Sequence, residues 1–207
     1  MEITWLGRSC IQLDSRNIVL LTDPYESNEG AFMAPTPGHI ITLSTDFPDH
    51  STTSAITGSP RVLNGPGEYE IAHYYILGIG TALGDPADAI LNTIYMIRAE
   101  GLVICYLGGL STKLSPAQLD LLSQTQILIT PINPSNQGLE QVIQQITQTI
   151  QPRIFIPLIQ PSPNNQASEP SFASALADPT ITPQNRLNIT ETNLPGEART
   201  ILLNPRP

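Results

Sequence analysis

The stretch NTIYMIRAEGLVICYLGGL, residues 92–110, reads as two strands folded back on one another. Thr93–Ala99 and Leu102–Leu107 are rich in β-branched and aromatic residues, and Glu100-Gly101 between them is a tight hairpin signal. Outward from this hairpin, the first two-thirds of the chain continues as strands in quick succession. They are predicted at Glu2–Leu6, Cys10–Leu13, Ile18–Thr22, Ile40–Ser44, Arg61–Leu63, Tyr69–Ile71 and Tyr75–Ile79. Asp23-Pro24 and Gly65-Pro66-Gly67 punctuate the gaps.

After the hairpin the pattern changes. Ser115-Pro116-Ala117-Gln118 supplies a helix cap, a first-turn proline and a reciprocal glutamine, leading LSPAQLDLLSQ into a strand at Gln126–Thr130. Leu139, Val142, Ile143, Ile146 and Ile150 then recur at helical spacing. Pro152 stops that helix before RIFIPLI, a continuous apolar strand of the buried, parallel kind. A looser stretch follows, with residues 161–169 read as a flexible loop. A short helix is predicted near Phe172–Leu176, and closing strands around Leu187–Thr190 and Thr200–Leu203. Two packed sheets with outer helices, in one domain over residues 1–207, is the architecture these elements imply.

One segment looks chemical. ITLSTDFPDHS, residues 41–51, opens as a strand and ends on Asp49 and His50, the side chains of metal and general-base sites. The neighbouring places hold Thr45 and Phe47, which serve neither role. Asp46 and Asp49 also read as turn acids accepting backbone hydrogen bonds. His39 and His73 have no ligand-spaced partner and read as surface or satisfied histidines. Cys10 and Cys105 form no CxxC pair and read as buried, reduced thiols.

Composition narrows the function classes. The chain is 40% hydrophobic and 13% charged, as a globular protein is, and no apolar run approaches the length of a bilayer span. The formal net charge is −9, with one lysine, Lys113, and scattered arginines. Nucleic acid and anionic membranes require clustered cations, so neither is an expected partner. No signal-peptide pattern opens the sequence, and a cytoplasmic location is expected.

Taken in order, MEITWLGRSC, VLLTDPY, HIITLSTDFPDHS, RVLNGPGEYEI, NTIYMIRAEGLVICYLGGL, LSPAQLDLL, ILITPIN and PRIFIPLI resemble the metallo-β-lactamase-fold hydrolases, specifically a small bacterial Zn-dependent hydrolase-like branch. The resemblance implies an α/β fold, an αββα sandwich of two mixed sheets with outer helices. It also implies a dinuclear metal site at one sheet edge, built from a His-x-His-x-Asp-His signature and three later ligands.

Against that implied ligand set, the two leading histidines fall on Thr45 and Phe47, and only Asp49 and His50 match. The later histidine falls near Leu83, the bridging aspartate on Gly109 and the last histidine on Ile159. The family's Gly-His-Ser near the N-terminus is here Gly7-Arg8-Ser9. A catalytic zinc ordinarily needs three protein ligands beside an open water position. The expectation is therefore a non-catalytic relative without metal cofactor, binding a partner protein or a small ligand. Asp23, Asp49 and His50 would be its remnant site residues. Arg8 is expected to counter the charge of Asp23 or Asp49 and, with Asp49 and His50, to face the ligand. The alternative is a hydrolase of a phosphoester, lactone or related substrate, using zinc at a reduced site around Asp49 and His50.

Overall fold

A computed structural model describes residues 1–25, 33–45, 53–83, 90–132, 139–159 and 181–206. Its elements in chain order are β1 (Glu2–Gly7), β2 (Cys10–Ser15), β3 (Ile18–Thr22), β4 (Thr36–Pro37), β5 (Ile40–Leu43), β6 (Ile56–Thr57), β7 (Arg61–Asn64), β8 (Gly67–Ile71), β9 (Tyr74–Leu83), β10 (Ile90–Ala99) and β11 (Leu102–Tyr106). Then come α1 (Pro116–Leu121), β12 (Ile127–Ile132), α2 (Leu139–Ile150), β13 (Ile154–Ile159), β14 (Leu187–Asn188), a 3-10 turn at Glu191–Asn193, and β15 (Arg199–Thr200).

The strands form a six-stranded sheet, β14-β1-β2-β3-β5-β7, and a seven-stranded sheet, β15-β13-β12-β11-β10-β9-β8. Both are mixed: β1, β2 and β3 pair antiparallel, while β3, β5 and β7 run parallel. In the second sheet β8 to β11 form an antiparallel meander, and β11, β12, β13 and β15 run parallel. The apolar run RIFIPLI therefore lies between parallel neighbours, where both strand faces are covered and alternation is lost.

Strand alternation divides β10 between two cores. Tyr95 and Ile97 face the six-stranded sheet with Ile3, Trp5, Ile11 and Leu20, whereas Ile94 and Met96 pack outward beneath the helices. Leu139, Val142, Ile143, Ile146 and Ile150 form the buried stripe of α2. At α1 the predicted capping box is present: the Gln118 amide donates to Ser115 Oγ, and Gln118 Oε1 accepts from the Ser115 amide. The outer face of the six-stranded sheet is covered differently. There Cys10, Leu21, Tyr25 and Met33 pack with Ala55 and Ile56 near the β4–β6 ladder.

Three fully buried tyrosines tie one sheet to the other. Tyr74 Oη donates to the carbonyls of Leu13 (3.1 Å) and Ile18 (3.2 Å). Tyr95 Oη reaches the carbonyls of Leu43 (2.8 Å) and Leu63 (3.1 Å) and accepts the Gly65 amide. Tyr106 Oη reaches the Ser9 carbonyl at 2.8 Å. Each ring fills the inter-sheet core while its hydroxyl finds polar partners on the facing sheet, as a buried hydroxyl must.

The hairpin β9–β10 is longer than the sequence predicts, ten residues on each strand. Gly78 and Gly80 interrupt the apolar pattern of β9 and hide its continuation. Gly78 is needed there, because a Cβ would stand 2.7 Å from the Gly65 carbonyl oxygen. The expected turn at Asp46–Asp49, the loop at 161–169 and the helix near Phe172–Leu176 lie outside the described residues.

Candidate functional site

The strand ends β3, β5 and β11 converge at one edge of the sandwich, joined there by the start of β10. Asp23 follows β3 and takes a positive φ of 39°. Its amide extends the β3–β5 ladder by bonding to the Thr42 carbonyl at 2.9 Å. The Asp23 side chain, 1% exposed, turns inward. Oδ1 accepts the Ser44 amide at 2.6 Å, and Oδ2 accepts the hydroxyls of Ser44 (2.5 Å) and Tyr106 (2.6 Å). Three hydrogen bonds to one carboxylate favour its charged form.

That charge acts on its neighbours. Burial raises the Tyr106 phenol well above its ordinary range, and the Asp23 charge and hydrogen bond add to the effect. Burial likewise raises the Cys10 thiol, with Asp23 contributing. Cys105 is also buried, and burial pushes its thiol up. Both cysteines thus sit as neutral thiols in strands, as their sequence context suggests.

Asn92 forms the second half of the edge. Its amide, fully buried, donates to Thr81 Oγ1 (2.9 Å) and the Leu107 carbonyl (3.2 Å), and its Oδ1 accepts the Gly109 amide at 2.8 Å. The adjacent Thr93 amide bonds directly to the Ser44 carbonyl at 2.8 Å, so main chain meets main chain between the two sheets. Gly108 makes this closeness possible. It has φ +61°, and a Cβ there would stand 2.6 Å from Ser44 Oγ and 2.8 Å from Asn92 Oδ1.

Of the positions singled out by the resemblance, Thr45, Leu83, Gly109 and Ile159 are described, each at or just after the end of a strand. Thr45 is 5% exposed, and its hydroxyl has no hydrogen-bond partner among the described residues. Gly109 is exposed, its backbone amide held by Asn92. Ile159 closes β13 opposite Ile132 and packs, half-buried, against the cluster beneath α2. Leu83 closes β9. Zinc is held by imidazole, thiolate or carboxylate, and none of these four residues carries one. They do not fit a dinuclear metal centre. Phe47, Asp49 and His50 lie outside the described residues. Among the described residues no group of three His, Cys, Asp or Glu could hold a metal ion.

Arg8 sits in the β1–β2 turn with φ +44°. Trp5 Nε1 donates to its carbonyl at 2.9 Å, and its guanidinium lies over the Tyr25 ring, 5.4 Å from the centroid. Burial raises the Tyr25 phenol, while Arg8 pulls it the other way. Asp23 accepts from Ser44 and Tyr106, and the Arg8 guanidinium lies over an aromatic face; Asp49, the other acid expected near Arg8, is outside the described residues. The remaining histidines are satisfied singly. His39 Nδ1 accepts the Val19 amide, and His73 Nε2 lies 2.7 Å from Ser15 Oγ at the opposite end of the sandwich.

Ser44, Tyr106, Asn92 and Gly108 carry this edge, and the sequence did not single them out. Asn92, polar at the head of an apolar strand, was the one signal available.

No described helix is long and apolar enough to cross a membrane. Residues 2–159 match the model of a family described as the beta-lactamase superfamily domain. No curated protein matches the chain. Among solved structures, it is similar to a candidate Zn-dependent hydrolase of the metallo-beta-lactamase superfamily from Thermotoga maritima. That pair shares 21% identity over 98% of this chain and 97% of the other, with a TM-score of 0.75. An isothiocyanate hydrolase from Delia radicum gut bacteria is 13% identical over 92% and 100% of the two chains, with a TM-score of 0.62. A candidate metal-dependent hydrolase from Parabacteroides distasonis is 18% identical over 75% and 80%, with a TM-score of 0.57.

Proposed function

The chain belongs to the metallo-β-lactamase superfamily, and we propose that within it this protein is a non-catalytic member whose dinuclear site is lost and whose scaffold serves in binding. Gly109 carries the reading. Where the resemblance implies a carboxylate shared by two cations, there is an exposed glycine whose amide is engaged by Asn92. A metal-activated hydroxide requires the charge of a bound ion to exist at neutral pH, and Thr45, Leu83 and Ile159 offer nothing to hold one. In this reading 1–207 is one domain working in the cytoplasm without nucleic acid or membrane. The edge takes a partner protein or a small ligand, with Arg8, Asp49 and His50 as contacts.

The similarity to hydrolases favours a second reading, a reduced metal site around Asp49 and His50 acting on a phosphoester, lactone or related bond. Elemental analysis of the purified protein, followed by zinc titration under calorimetry, separates the two. The first reading expects far less than one ion per chain and an unchanged melting temperature on chelation, because a ligand that does not bind the native state cannot stabilise it. About one tightly held ion per chain, with melting lowered by chelator and restored by zinc, would establish the second.

A further inference from the structure

Between the carboxyl end of α2 and the edge strand β15 lies a cavity of about 570 Å³, with Arg153, Phe155, Ala198 and Thr200 among its walls. It lies at the start of β13, the opposite end of that strand from Ile159, and is independent of the reading given to the edge described above. Register places Thr200 beside Phe155 and Arg199 beside Ile154. By alternation Arg153, Phe155 and Thr200 share the outer face of the sheet, where Phe155 packs beneath α2. Arg199, exposed and paired with Ile154, also lines the cavity.

Arg153 is held in place. Its Nη1 donates to the carbonyls of Pro195 (3.1 Å) and Gly196 (3.0 Å), which uses both hydrogens on that nitrogen. The other edge of the guanidinium, Nε with Nη2, presents two parallel N–H donors, the geometry that takes a carboxylate side-on. Among the described residues no carboxylate pairs with Arg153 or Arg199, although Glu197 is in the same turn. Among the described residues no acidic one lines the cavity. In a chain of net charge −9, two arginines with no ion pair among the described residues, against one nearby acid in Glu197, leave the cavity electropositive relative to its surroundings. The carboxyl end of α2 opposes this with about half a negative charge, less than either guanidinium supplies.

We infer that this cavity binds a small organic carboxylate with an apolar body. The carboxylate meets the Nε–Nη2 edge of Arg153, and the apolar body lies on Phe155 and Pro152. Its volume is in the range of small-molecule sites. A phosphate dianion would call for a second fixed cation, and the Arg199 guanidinium makes no hydrogen bond among the described residues.

The test is a titration of the isotope-labelled full chain with 3-phenylpropionate, followed by amide shifts. Saturable shifts centred on Gly196, Ala198 and Thr200 are expected, weakening as salt rises. Arg153→Ala should weaken binding by about tenfold or more. Because that change also frees the Pro195–Gly196 turn, Ala198→Trp provides a second variant that fills the cavity and leaves the guanidinium bonds intact; it too should abolish binding. The neutral 3-phenylpropionamide and bare acetate should each bind at least about tenfold more weakly. Absence of saturation up to about 10 mM, binding unchanged in Ala198→Trp, or acetate binding as well as the phenyl acid would overturn the assignment.

Discussion

The Tyr106 hydroxyl stands 2.6 Å from the Asp23 carboxylate, although 83 positions separate the two in sequence. One belongs to the seven-stranded sheet and the other follows β3 of the six-stranded sheet. The bond therefore fixes the two sheets against each other at the edge where the family's chemistry would take place. Its donor is neutral and its acceptor charged, a combination stronger than the ties made by Tyr74 and Tyr95 to backbone carbonyls.

Tyr106→Phe should accordingly cost about 2–3 kcal/mol, the range for losing a hydrogen bond to a buried charge. Tyr74→Phe, which removes a hydroxyl bonded to neutral carbonyls, should cost about 1 kcal/mol. Urea unfolding of both variants measures the difference. Equal losses would mean that the Asp23 carboxylate finds a substitute donor.

Gly108→Ala should destabilise by about 2 kcal/mol or more. The new side chain meets a left-handed backbone and the crowded Ser44 and Asn92 oxygens at once. Gly196→Ala, where a Cβ would meet nothing within 4 Å, is the control, and thermal melts of the pair decide the point.

Alkaline pH should weaken the fold. Burial holds the Cys10 thiol and the Tyr106 phenol neutral in the native state, above their ordinary values of 9.0 and 10.0. The unfolded chain ionises first, so this contribution is whole below about pH 9 and is lost as pH rises toward the native values. Denaturant midpoints from pH 7 to 10.5 should fall above about pH 9. Thiol reagents should modify Cys10 and Cys105 only as fast as the protein opens.

Combining Thr45→His, Phe47→His, Leu83→His, Gly109→Asp and Ile159→His should introduce measurable zinc binding if those positions correspond to the family's ligand places. Zinc would then raise the melting temperature of the variant and leave the parent unmoved. A variant that folds, shown by an intact far-ultraviolet spectrum, yet shows no zinc-dependent shift would disprove the correspondence.

The sequence by itself determined the elements. Alternating runs, the Glu100-Gly101 turn, the Ser115–Gln118 capping box and the 3.6-residue stripe of α2 are local patterns, set by neighbours a few residues apart. The ordered segments also determined the family, because they name a topology as a set. The residue types at Thr45, Leu83, Gly109 and Ile159 were legible too, since the absence of an imidazole or carboxylate needs no coordinates.

Only the tertiary structure decided which polar atoms meet. Asp23 is satisfied by Ser44, 21 positions away, and by Tyr106, 83 away, and no local spacing encodes that choice. Arg8 stands over the Tyr25 ring, a contact that no local pattern announces. The length of β9 was hidden as well, because Gly78 is demanded by the Gly65 carbonyl across the turn. In each case burial removes water as a partner, so every polar group must find another wherever the packed sheets bring one.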